Sequence, residues 1–110
     1  MIDWQRVNTL REEIGAEDFD EVVPMFLEEV EEVTDQLRAQ PDIAKLEDRM
    51  HFLKGSAVSL GFEAFSTMCG EGETKAAAGD GSCVDVAAIL ECYEQSKSVF
   101  MAGLSSGLAA

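Results

Sequence analysis

The sequence predicts an all-α fold: an antiparallel up-and-down four-helix bundle with a short additional N-terminal helix. Three observations lead there. Apolar residues recur at three- and four-residue steps through four long segments. Glycine or proline punctuation separates those segments. No segment shows sustained β-type alternation or a turn between two β-rich runs. At 110 residues the chain reads as one domain, residues 1–110, able to bury a modest core.

The first helix, about residues 3–14, opens near Asp3, carries Ile2, Trp4, Val7 and Leu10, and stops at Gly15, which suits a left-handed C-terminal cap. The second runs from about Asp18 to Ala39, with Phe19, Val22, Val23, Phe26, Val30, Val33 and Leu37 on one face. Pro24 lacks an N–H, so a break or a loose first turn is expected between Asp18 and Pro24. "QPD" at 40–42 closes that helix, and Asp42 caps the next, about 43–60, whose stripe is Ile43, Leu46, Met50, Leu53, Ala57 and Leu60. Gly61 turns the chain into a helix of about 63–78 that buries Phe65, Met68, Cys69, Gly72 and Ala76. "GDGS" at 79–82 is a loop, with Ser82 and Asp85 as candidate caps for the last helix. That helix, about 83–103, turns Val86, Ile89, Leu90, Tyr93, Phe100 and Leu104 inward, and the tail at about 105–110 should fray.

Composition excludes several function classes. A formal charge of −14 opposes nucleic-acid binding and anionic membrane surfaces, because neutralising phosphates takes Lys and Arg. Residues 1–50 hold 15 of the 22 acidic side chains, a bias that a solvated helix face explains. No apolar run approaches the roughly 20 residues of a membrane span, and "MIDWQRVNTL" has no secretory pattern. Cys69, Cys83 and Cys92 form no CxxC pair, and one histidine cannot complete a zinc set with them. They read as reduced thiols, and a cytoplasmic location is expected.

The chain's single histidine, His51, lies in "MHFLKGSAVSLGF". Successive residues advance about 100° around a helix, which sets His51, Lys54, Gly55 and Val58 in a strip beside the core stripe. Glycine costs about 1 kcal/mol relative to alanine inside a helix, so Gly55 calls for a packing or access reason. Hydrolase-type catalysis lacks support: there is no GxSxG elbow and no second histidine to serve as base. A GxxxxGK[ST] phosphate loop is missing as well. A lone histidine can be purely structural. The functional alternative is an imidazole that receives a phosphoryl group and passes it on, with Lys54 balancing charge and Gly55 leaving room for a partner.

"HFLKGSAVSLG", residues 51–61, resembles the signature of histidine-containing phosphotransfer (HPt) domains, roughly H-x-L-K-G-[SA]-x-x-x-L-G. "IDWQRVNTL" and "FLEEVEEVTDQL" are similar to the family's first two helices, and "LGFEAFSTMCGEGE" to its LG-x-x-x-[FL]-x-x-x-C-x-x-x-E pattern. The resemblance covers about residues 2–100. It implies an intermediate of multistep phosphorelays, a phosphocarrier without kinase activity, taking a phosphoryl group from one receiver-domain aspartate and giving it to another. It further implies His51 as phosphoacceptor, Lys54 as stabiliser of phosphoryl charge and Gly55 as the opening for the receiver, with Ser56 as local support. No cofactor is implied for this chain, since Mg²⁺ belongs to the receiver, and a monomer is expected because the His51 side must stay open.

Some relatives place a glutamine on helix two beside the histidine; here the nearest candidate is Glu29, a carboxylate that would orient the imidazole but repel a phosphate. Gly70 and Gly72 weaken helix four where relatives carry better helix formers; Gly72 would permit close helix packing, and Gly70 has no explanation at the level of sequence. Two alternatives accompany this reading. One is an unphosphorylated HPt-like adaptor that docks and sequesters receivers. The other is a sensor-kinase dimerisation segment, which favours an acidic residue directly after the histidine and a proline soon after it, where this chain has Phe52 and no proline beyond Pro41.

Overall fold

The computed structural model describes residues 2–39 and 42–105. Over them the chain forms α1 Trp4–Ile14, α2 Ala16–Ala39, α3 Ile43–Leu60, α4 Glu63–Ala77 and α5 Val86–Ser105, with a 3₁₀ turn at Gly81–Cys83. Gln40 and Pro41, expected to close α2, and the end of the tail lie outside the described residues. Among the described residues there is no strand, only an isolated antiparallel bridge between Ile2 and Phe62. The molecule measures 42 × 21 × 21 Å, and its 24-residue α2 accounts for about 36 Å of that length at 1.5 Å per residue.

Short aspartate caps start three of the helices. Asp3 Oδ1 accepts from the Arg6 N–H at 3.2 Å, Asp42 Oδ1 from Ala44 at 3.0 Å, and Asp85 Oδ1 from Ala88 at 3.0 Å. Each satisfies one of the donors that a helix leaves orphaned at its start. Asp85 is therefore the cap of α5, which begins at Val86 rather than near 83; Ser82 belongs to the 3₁₀ turn before it.

The break expected near Pro24 does not occur. α2 starts two residues earlier than anticipated, directly after Gly15, and runs through Pro24 to Ala39. Proline removes one N–H from the ladder, but Pro24 and Asp20 are both on the exposed side, where water can satisfy the freed Asp20 carbonyl. Phe19, Val23, Leu27 and Val30, buried on either side of it, hold the helix on course.

The core joins all five helices. Phe62 meets Phe100 edge-on at 5.2 Å between centroids, Phe65 and Tyr93 are also 5.2 Å apart, and Trp4 stacks on Phe100 at 6.0 Å. Trp4 lies over Gly103, where any side chain would collide with the indole. Three expected positions differ. Ile43 is exposed, leaning on Gly81 at the bundle's edge, while Leu27 and Thr34 join the buried face of α2. Thr34 is tolerated there because its hydroxyl donates to the Glu31 carbonyl at 3.1 Å.

The turn between α3 and α4 positions the site. Gly61 has φ +78°, and a Cβ there would stand 2.7 Å from the Asp3 carbonyl oxygen, so only glycine fits. The Asp3 N–H donates to the Gly61 carbonyl at 2.7 Å, tying the N-terminal segment across the turn. Gly72 lets α4 approach α3: its Cβ would meet Met50 Sδ at 3.0 Å and Val84 at 3.4 Å, the close packing expected of it.

Candidate functional site

His51 projects from the middle of α3 with 71% of its side chain exposed. Its Nδ1 lies 2.7 Å from Glu73 Oε2, and Lys54 Nζ donates to Glu73 Oε1 at 2.5 Å. One carboxylate on α4 thus holds both the imidazole and the ammonium of α3, one with each oxygen. The Lys54 ammonium, and after it the hydrogen bond from His51, hold the Glu73 carboxyl below its ordinary value of 4.5. An ionised carboxylate can only accept hydrogen bonds, so the neutral imidazole carries its proton on Nδ1. Nε2 is left with its lone pair, on a ring that is mostly exposed.

Gly55 opens the same face. Among the described residues a Cβ built on it meets nothing within 4 Å, so the glycine serves no contact with another described helix and leaves space beside His51. Val58, almost in line with His51 two turns on, is 56% exposed, and Phe52 is exposed on the shoulder of the strip. A groove of about 580 Å³ continues from Val58 between α3, α4 and α1, lined by Arg6, Gly61, Ser66 and Thr67 among others. The surface around the imidazole is therefore broad and partly apolar.

His51, Lys54, Gly55 and Val58 come together as the sequence predicts. Ser56 does not join them: it is half-buried and turned about 140° around α3 from His51. Glu29 is exposed on α2, and the carboxylate against the imidazole is Glu73. Glu73 is the last residue of the pattern over residues 60–73, and its place beside His51 has a signal in the sequence. In a helical hairpin, residues at equal distances from the turn face each other, and His51 and Glu73 are equidistant from Phe62. Lys54 and Gly70 are a second such pair, and a Cβ on Gly70 would touch the Lys54 stem at 3.5 Å.

Of the thiols, Cys69 and Cys92 are buried and Cys83 is exposed. Burial pushes Cys69 up to about 12, which makes it inert. Among the described residues no cluster of His, Cys, Asp and Glu could hold a metal ion, and no helix is long and apolar enough to cross a membrane.

The fold and the site define a class: a small helical bundle that carries one histidine on its surface, held by a carboxylate that also binds an ammonium. The chain belongs to the Hpt domain family, whose model matches residues 21–99. It is 28% identical over 112 residues to the phosphorelay protein LuxU of Vibrio vulnificus strain YJ016, with 97% of each chain covered. The LuxU of strain CMCP6 matches to the same extent. No solved structure matches the chain.

Proposed function

We propose that this protein is the histidine-phosphorylated intermediate of a multistep phosphorelay, taking a phosphoryl group from a receiver-domain aspartate on His51 and delivering it to another receiver aspartate. The observation that carries this is the Nδ1 contact to Glu73, which leaves Nε2 as an exposed nucleophile. Family membership and the likeness to phosphorelay proteins support the same reading. For the fold, the reading takes α2–α5 as an antiparallel up-and-down four-helix bundle, with α1 packed against it through Trp4, Val7 and Leu10.

In the transfer, the Nε2 lone pair attacks phosphorus, the P–O bond to the receiver aspartate breaks, and its carboxylate departs with the electron pair. The ring, bonded to phosphorus at Nε2 and to hydrogen at Nδ1, becomes cationic, and the Glu73 carboxylate stabilises that charge. Lys54, held at the same carboxylate, supplies positive charge to balance the new phosphoryl oxygens. Delivery to the second receiver is the same step reversed. Gly55, Val58 and Phe52 form the ground on which a receiver lands, and this requires a monomer. The chain contributes no cofactor of its own, Mg²⁺ being supplied by the receiver. The exposure of the His51 side chain favours this reading over the adaptor alternative.

The test is incubation with phosphorylated receivers. The label should pass to this chain, survive alkali, be lost in acid as an N–P bond is, and fail to appear in His51→Gln. Full labelling of His51→Gln would overturn the assignment.

A further inference from the structure

We propose that Gly70 is a positioning residue for Lys54: by leaving α4 bare at that point, it gives the lysine stem the track along which its ammonium reaches Glu73. The proposal deepens the reading of His51 and Lys54 given above and rests on it.

Lys54 and Glu73 belong to different helices, so the ammonium must cross the surface of α4 to reach its carboxylate. Gly70 and Glu73 are three residues apart and share a face of α4. A Cβ built on Gly70 has one neighbour within 4 Å, the Lys54 Cδ at 3.5 Å. That carbon is midway along the side chain, which places the stem over Gly70 and the ammonium one turn further along, at Glu73. Gly72 makes an instructive contrast, since its Cβ would press on Met50 and Val84 and its smallness serves helix packing. No such contact exists at Gly70. Its φ is not positive, so the backbone does not demand glycine either. What the missing side chain frees is the path of Lys54.

The spacing also sets the limit of tolerance. At 3.5 Å a lone methyl makes ordinary van der Waals contact with the stem, so alanine fits. A β-branched side chain, filling two of the three staggered positions on Cβ, must take the space the stem uses. Lys54 would then lose its hold on Glu73, and Glu73 would keep only the imidazole.

The experiment compares the intact protein with Gly70→Ala, Gly70→Val, Lys54→Met and the double variant Gly70→Val/Lys54→Met. Carboxyl NMR of the unphosphorylated protein reads the titration midpoint of Glu73. It should stay depressed in Gly70→Ala and rise in Gly70→Val to the value found in Lys54→Met. Transfer from a phosphorylated receiver should fall in Gly70→Val as far as in Lys54→Met, and the double variant should be no slower than Lys54→Met alone. An unmoved Glu73 midpoint in Gly70→Val would overturn the proposal. So would a double variant slower than Lys54→Met, since Gly70 would then act on the receiver directly. If Gly70→Val loses helicity, Gly70→Ile, equally β-branched and a somewhat better helix former, makes the same comparison. Absence of any transfer to the intact protein would refute the phosphorelay reading, while the Glu73 titration would still decide the role of Gly70.

Discussion

Two places in this molecule use the same ingredients to opposite ends. On the α3–α4 face, Glu73 holds the Lys54 ammonium and the His51 ring; on the α2–α5 seam, Glu31 accepts from Lys97 Nζ at 2.6 Å and from the Tyr93 hydroxyl at 2.8 Å. Each is a carboxylate gripping one lysine and one ring from a neighbouring helix, and each is held below the ordinary carboxylate range, first by its lysine. The rings differ. Tyr93 is 0% exposed and packs on Phe62 and Phe65, whereas His51 is mostly in solvent. Burial and the Glu31 carboxylate raise the Tyr93 hydroxyl far above its usual value, so it stays protonated and only donates. The seam uses its hydrogen bond to join two helices in the core, and the face uses its own to orient an exposed imidazole. What separates the two is burial: the Tyr93 ring is shut in the core, and the His51 ring is open to solvent.

That contrast can be broken at either end. The largest effect should come from Glu73→Gln, which keeps the shape and removes the charge that fixes the imidazole and stabilises its cationic product. Transfer should slow by about tenfold, equivalent to about 1.4 kcal/mol in the barrier, with the melting temperature nearly unchanged. An unaltered rate would make Glu73 a bystander. Lys54→Ala comes next, a partial loss of transfer in a protein that melts normally, because an exposed ion pair adds little stability. Tyr93→Phe should invert the pattern: transfer kept, stability lowered by about 1.5 kcal/mol for a hydrogen bond to a charged acceptor, as read by denaturant melts. Slower transfer in Tyr93→Phe would show that the seam and the face are coupled.

Gly55→Ala is a smaller test of the face. Since its Cβ would meet nothing, the substitution should stabilise α3 by up to about 1 kcal/mol and spare transfer, while Gly55→Gln should stay folded and lose it. A clear fall in melting temperature for Gly55→Ala would contradict an open surface there. The smallest effect is that of acid. Both carboxylates are depressed in the folded state, so what they add to stability is present above the unfolded value of about 4.5 and disappears as pH falls through their lower folded values. Carboxyl NMR should find both midpoints below 4.5.

The helices were legible because burial on one side writes a 3.6-residue period into the sequence, as Leu46, Met50, Leu53, Ala57 and Leu60 show. Pro24 misled because local propensity registers a lost N–H and cannot register the buried side chains that outweigh it. His51, Lys54 and Gly55 lie within about one helical turn, where spacing alone brings them together. Glu73 lies across a turn, and its role depends on how two helices pair; the sequence held that information as symmetry about Phe62 and as the final acidic position of the pattern over residues 60–73, which by itself names no partner. Expecting Glu29 in its place assigned the task to the wrong neighbouring helix. Gly70 was opaque for a related reason, since what a glycine leaves room for is visible only once the side chain crossing it has been located.

The hairpin turn at Gly61 has a kinetic consequence. His51, Lys54, Gly55, Gly70 and Glu73 all belong to the two helices this turn joins, so every contact within the site has a short sequence separation. Contacts of that kind close cheaply and form quickly, whereas α1 and α5 must be brought in from the chain's ends to meet as Trp4 and Phe100. The reactive hairpin can therefore organise before the termini dock, and substitutions that loosen the Trp4–Phe100 end should act mainly on how long the finished bundle lasts.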